Sequence, residues 1–304
     1  MNNDLQSRSR VLPASLVLFA ALLMALLLPL RLWQQIHLVE QDTGFWLGGG
    51  ITVTLLYAGM GALAALPAAA AFALRKRTAL DLTRRRRILE GVAAALLAAA
   101  MVWDAFAAFR FAVRLFAGYG SGLFFEGMES QASSPASFYV RSGAMAGVVE
   151  GVFGTLGALF FGELAIINFQ PKKELFLSRA MALAPLVWVI SRVLRRFSRT
   201  IAYLRVSDLF LELAMLVMLL LFFLCFAQLV GNYNGAGKQS LLFAAGACAA
   251  VLALVCFVPR LVTYGFLGFA APQDAVIEWC DPAVALFILA FLGGRIYTKN
   301  RKET

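Results

Sequence analysis

The sequence predicts an all-α, polytopic integral membrane helix bundle of about eight transmembrane helices, with seven as the alternative count. Three observations carry this: a mean hydropathy of +0.79, a charged content of only 14%, and apolar runs that recur along the whole chain. A soluble domain would carry about 25% charged residues. Runs of about 18 or more residues are long enough to cross a hydrocarbon core of about 30 Å. Backbone groups in lipid must be satisfied internally, so the only other spanning architecture is a closed barrel, whose strands alternate apolar and polar residues. The unbroken runs here do not alternate. The 304 residues are expected to form a single transmembrane domain with no soluble domain.

The expected spans are Val11–Leu30, Trp46–Leu74, Ile88–Val113, Gly143–Asn168, Ala180–Leu194, Leu209–Val230, Leu241–Val258 and Ala283–Ile296. The first follows Arg8 and Arg10, as a secretory signal would. It is long for a signal h-region and no small-x-small cleavage site follows, so a retained span is expected. The fifth, within "RAMALAPLVWVISRVLRR", is short and contains Pro185, and reads as a short or tilted span, a re-entrant segment or an interfacial helix. The sixth begins with Ser207 as a cap, followed by Asp208 and Glu212 near the positive end of the helix dipole. The eighth begins at "EWCDPAV", with Asp281 as N-cap and Pro282 in the first helical position.

Basic residues set the orientation. The segment "RKRTALDLTRRRR" (75–87) is expected in the cytoplasm, with both termini and "QPKKE". The long connection from Phe116 to Val140 is then external. If segment five spans, the arginine-rich stretch "RVLRRFSRTIAYLR" is external, against the rule. If it does not, the later spans invert, and the two topologies differ by a single basic residue. Uncharged apolar content around Trp188 and the basic tail "RIYTKNRKET" favour eight spans. The net charge of +10 flanks the spans, and so reads as attraction to a bilayer with anionic headgroups rather than to nucleic acid.

One charge lies well inside a span. Asp104 is about 24 Å from the start of its helix, where a carboxylate costs about 2.5–3.5 kcal/mol at most to insert. Arg110 and Arg114 on the same helix lack the i+3 or i+4 spacing that would bring them to it, so a partner must come from another helix. In the eight-span topology Glu150, Arg192, Asp208 and Glu212 arrive near the same depth. The candidate buried polar cluster is therefore Asp104, Glu150, Arg110, Arg114, Arg192, Asp208 and Glu212. It is either an ion-pair network that fixes helix docking or a polar cavity for an ion, proton or solute. Glu163 stands apart near the inner end of the fourth span, alone and protonated or paired with Lys172 or Lys173. On the fourth span, Gly143, Gly147 and Gly151 form one small-residue ridge. Gly154, Ala158 and Gly162 continue another, marking a closely packed, central helix. Gly48 to Gly50 read as interfacial flexibility or a loosened, ligand-facing helix start.

Much chemistry is missing. His37 is the single histidine, so an HExxH zinc site cannot form, and a Ser–His or Cys–His dyad within the bilayer or a haem ligand set is not expected. There is no Walker A sequence, and "GYGSG" (118–122) lacks the G-x-S-x-G spacing. Cys225, Cys248, Cys256 and Cys280 form no CxxC pair and read as small packing residues. No catalytic residue, cofactor site or metal site is expected, and an enzyme is the least favoured class.

The stretch "IHLVEQDTGFW" and the pair "PLVWVISRVLRRF" and "VSDLFLELAMLVMLLLFF" resemble uncharacterised multi-pass membrane proteins of clostridial-type Gram-positive bacteria. The resemblance implies a bacterial plasma-membrane location and carries no activity or site residue. The expected role is a non-enzymatic membrane component that works with other membrane subunits. The alternative is a secondary transporter or permease that uses its intramembrane carboxylates.

Overall fold

In the computed structural model the described residues are 2–40, 46–48, 50–73, 88–118, 139–140, 142–170, 179–198, 206–231, 236–269 and 277–300. All their regular structure is helical: α1 (Asn2–His37), α2 (Ile51–Ala73), α3 (Ile88–Gly118), α4 (Ala144–Phe169), α5 (Ala184–Ser198), α6 (Val206–Val230), α7 (Ala236–Arg260) and α8 (Cys280–Asn300). A 3-10 turn, Arg179–Leu183, leads into α5, and a π-helical turn, Leu261–Phe266, follows α7. Five helices are long and apolar enough to cross a membrane, the apolar segments being Leu18–His37, Ile88–Ala117, Ala144–Phe169, Asp208–Val230 and Leu241–Phe266. The apolar stretches of α2 and α8, Ile51–Leu66 and Cys280–Gly293, are shorter.

Local sequence explains where these helices start and stop. Pro185 is the second residue of α5. Amides of a first turn have no intrahelical acceptor, so this proline starts the helix instead of breaking it. Pro259 falls in the last turn of α7, where the ladder gives way to the wider π turn. The Thr263 hydroxyl donates to the Pro259 carbonyl at 2.8 Å. Gly143 precedes α4 with φ of +79°, a left-handed conformation that glycine adopts without cost. Asp281 lies one residue inside α8 rather than at its cap, and its carboxylate is used elsewhere, as shown below.

α7 is the central helix. Of its apolar window 83% is buried, against 33% for α4, and α1, α2, α6 and α8 all pack around it. The expectation that α4 would be central is therefore corrected. Its glycines serve chiefly α3, in the most extensive helix pair of the fold. A side chain at Gly147 would meet the Ala108 carbonyl at 3.4 Å, and one at Gly151 the Phe109 ring at 2.8 Å. A Cβ at Gly162 would meet nothing within 4 Å. Small residues let the two helix backbones approach closely.

The chain is folded up and down, which divides the bundle into two halves. In one half Phe160 and Phe161 of α4, Phe222, Phe223 and Phe226 of α6, and Phe287 and Phe291 of α8 are all buried and in mutual ring contact. In the other half come together the C-terminal parts of α1, α5 and α7 and the N-terminal parts of α2, α4, α6 and α8. This half holds most of the buried charges.

Candidate functional site

α5 organises the charged half. Trp188, Arg192, Arg195 and Arg196 recur at helical spacing on one face of a 15-residue helix, and that face points into the bundle. Trp188 and Arg192 are buried, whereas Ile190, Leu194 and Phe197 on the opposite face are exposed. Glycine at position 154 lets α5 come close, since a Cβ there would stand 3.4 Å from Trp188 Cδ1.

Asp104 meets this face. Trp188 Nε1 donates to Asp104 Oδ2 at 2.8 Å, and the Arg192 guanidinium lies over the same indole, 5.0 Å from its centroid. The partner that the sequence required from another helix is thus an indole N–H, with the arginine one step behind it.

Ion pairs connect five helices around this centre. Arg192 pairs with Asp281, Nη1 to Oδ1 at 3.0 Å, and with Glu278. Arg195 reaches Glu150 on α4 at 3.0 Å and Glu278 at 3.4 Å. On the other side Glu212 of α6 accepts both Arg196 and Arg260, each at 3.1 Å. Next to this network, Arg31 of α1 pairs with Asp208 of α6 and lies over the Trp46 ring at 5.3 Å. Arg192, Glu150 and Asp281 are almost completely buried, and buried charges persist only when paired and hydrogen-bonded.

A recess of about 210 Å³ opens between these side chains, lined by the arginines, Asp104, Glu212 and Glu278, and by Trp103, Phe111 and Trp279. The residues that lead into α8, Ile277 to Cys280, form one of its walls.

Of the residues singled out from sequence, Asp104, Glu150, Arg192 and Glu212 meet in this network, and Asp208 joins Arg31 beside it. Arg110 and Arg114 do not. Both are exposed on α3, and neither forms an ion pair among the described residues. They lie six and ten residues beyond Asp104, about 9 and 15 Å nearer the end of α3. Arg195 and Arg196, from the arginine-rich stretch expected to pair with these carboxylates, join them; Arg31, Arg260, Glu278 and Trp188 complete the site unanticipated, and Asp281, expected as a helix cap, serves as an ion-pair partner. Glu163 is half-buried and away from the recess, and Lys172 and Lys173 lie outside the described residues. All four cysteines are free and buried, and no group of three or more His, Cys, Asp or Glu among the described residues could hold a metal.

Compared with family models, curated proteins and solved structures, the chain finds no match.

Proposed function

We propose that the chain is a multi-pass plasma-membrane protein with eight spans and both termini in the cytoplasm. Its role is that of a non-enzymatic membrane component, a partner or regulatory subunit that presents a charged recess to the outside. The carrying observation is the reversed amphipathicity of α5, with arginines inward and Ile190, Leu194 and Phe197 outward. A helix on a soluble bundle turns its charged face to water. This one turns it to the carboxylates of its neighbours, as a helix does when its outer surface meets lipid. α5 also returns the chain to the end at which α6 starts, in keeping with segment five as a span. α2 ends and α3 begins at the opposite end of the bundle, as α4 ends there, and the Lys and Arg that follow α2 and α4 in the sequence assign that end to the cytoplasm. The partners are the bilayer, its anionic headgroups and other membrane subunits.

The test is sidedness. With the four native cysteines replaced and one placed at Ser198, an impermeant thiol reagent should label intact cells. Labelling only after lysis would place the charged half in the cytoplasm and overturn the orientation.

A second reading, a carrier for a small solute or ion, is favoured by one observation: Asp104 lines the recess, and among the described residues no arginine forms an ion pair with it. Asp104→Asn and Glu150→Gln separate the two roles. Loss of solute uptake with folding intact would favour the carrier. Loss of folded protein alone would favour the structural network.

A further inference from the structure

We propose that the recess is a binding site for a small organic ammonium ion, its nitrogen held at Asp104. The proposal deepens the reading of the recess as the functional site of a membrane protein, and it does not depend on which side of the membrane that site faces.

The first support is the charge inventory. Among the described residues, six ion pairs tie the four arginines of the recess to four carboxylates, Glu150, Glu212, Glu278 and Asp281. Asp104 is the fifth carboxylate. Its polar partner is the neutral N–H of Trp188, which occupies Oδ2 and leaves Oδ1 for a ligand. Arg192, the cation closest in the chain of contacts, already serves two carboxylates. Among the described residues of the recess the carboxylates thus outnumber the arginines by one, and an uncompensated charge away from bulk water costs several kcal/mol. A ligand that restores neutrality carries one positive charge. An anion would add to the surplus and would have to displace a carboxylate from an arginine.

The second support is the wall. Besides charges, the recess is lined by the aromatic side chains of Trp103, Phe111 and Trp279. Trp103 and Trp279 are exposed at its rim. Aromatic faces attract organic ammonium groups through the ring quadrupole, indole most strongly. A bare metal ion asks for several hard oxygen ligands at short range, and the described residues supply no such set. Volume is the third support: about 210 Å³ is below the range of drug-sized pockets, about 300–1,000 Å³. It suits a compact cation of a few heavy atoms.

The experiment uses the full chain purified in detergent, titrated across the millimolar range with tetramethylammonium chloride, ethylammonium chloride and, at matched ionic strength, sodium chloride. Tryptophan fluorescence and the melting temperature are read together. The expected result is a saturable change with at least one ammonium salt and none with sodium. Asp104→Asn keeps an oxygen to accept the Trp188 N–H and is expected to fold. It should weaken ammonium binding by on the order of tenfold or more, as loss of one partner of a desolvated charge pair does. Trp103→Leu, at the exposed rim, should weaken tetramethylammonium binding severalfold with the melt unchanged. It decides the matter if Asp104→Asn does not fold. The proposal is overturned by an unchanged response to both ammonium salts, by an equal response to sodium, or by full affinity in whichever variant folds. Failure here would leave the Ser198 labelling result untouched, and inverted labelling would leave the binding result untouched.

Discussion

The two halves of this bundle hold together by different physics. In the aromatic half, Phe161 stands against Phe287 with centroids 4.9 Å apart, and Phe226 against Phe291 at 5.3 Å. In lipid these rings gain little from leaving their surroundings, because acyl chains are as apolar as leucine. What remains is dispersion and ring geometry, about 0.5–1.5 kcal/mol for each favourable pair. Such packing accepts several arrangements of similar energy. In the charged half the alternatives are not similar. Arg192 can reach Asp281 and Glu278, and Arg195 can reach Glu150, only when α4, α5 and the start of α8 share one register. The comparison teaches a division of labour. The aromatic half makes the bundle compact, while the charged half decides which helices meet and at what depth.

The largest effect should come from breaking that selection. Arg192→Leu strips a guanidinium from Asp281 and Glu278 and leaves carboxylates buried. Removing one partner of a buried pair costs about 3–5 kcal/mol, so unfolding in graded denaturing detergent should shift strongly toward lower concentrations. Adding Asp281→Asn to Arg192→Leu should restore part of the loss, because the orphaned charge goes with it. If the double variant were as unstable as the sum of the singles, the pair would not be coupled, and charge would not be what fixes α5 against α8.

An intermediate effect is expected in the other half. Phe161→Ala removes a ring that contacts Phe160, Phe223, Phe226 and Phe287. In a water-soluble core the cost would be about 3–5 kcal/mol, part transfer and part cavity. In lipid the transfer part largely cancels, so about 2–3 kcal/mol is expected in the same assay. A loss above that of Arg192→Leu would reverse the division of labour.

How much of this was legible in the sequence follows from the same contrast. The helices and their approximate limits follow from hydropathy, which asks only for length and apolar content. Asp104, Glu150, Asp208 and Glu212 stand out because a carboxylate in an apolar run is costly, and cost can be read without a fold. The partners are harder. Depth follows from counting residues along a helix, but the side of the helix that faces the bundle does not. Arg110 and Arg114 were therefore joined to the cluster by depth alone, and they face away. Arg31 and Arg260 read as flanking charges that set orientation, because a snorkelling arginine and a paired one look alike at a helix end. One signal was available. Trp188, Arg192 and Arg195 lie at i, i+4 and i+7, a stripe that places an indole and two guanidiniums on one face of segment five. The choice of an indole N–H for Asp104 depends on how closely α4 lets α5 approach, and that is set by a glycine, Gly154, whose neighbours on α3 and α5 follow from the packing and not from the sequence pattern.

That glycine supplies the smallest effect and the finest probe of where the two halves join. Gly154 and Gly157 lie one turn apart on α4. A Cβ at Gly154 would meet Ala105 Cβ at 3.3 Å and Trp188 Cδ1 at 3.4 Å. Neither can yield easily: Ala105 is fixed to the α3 backbone, and Trp188 is held by Asp104 on its edge and Arg192 on its face. At Gly157 the nearest atom is the Met101 methyl at 2.6 Å, the far end of a flexible side chain that can turn away. Both replacements by alanine carry the same gain in helix propensity, so their difference isolates packing. Gly154→Ala should be less stable than Gly157→Ala by about 1 kcal/mol, the lower end of overpacking costs. The loss should come with a change in the fluorescence of Trp188, which Gly157→Ala leaves alone. Equal stabilities would mean that α5 has room to shift on α4. The charged half would then be held by its ion pairs without help from the close approach of the backbones beneath it.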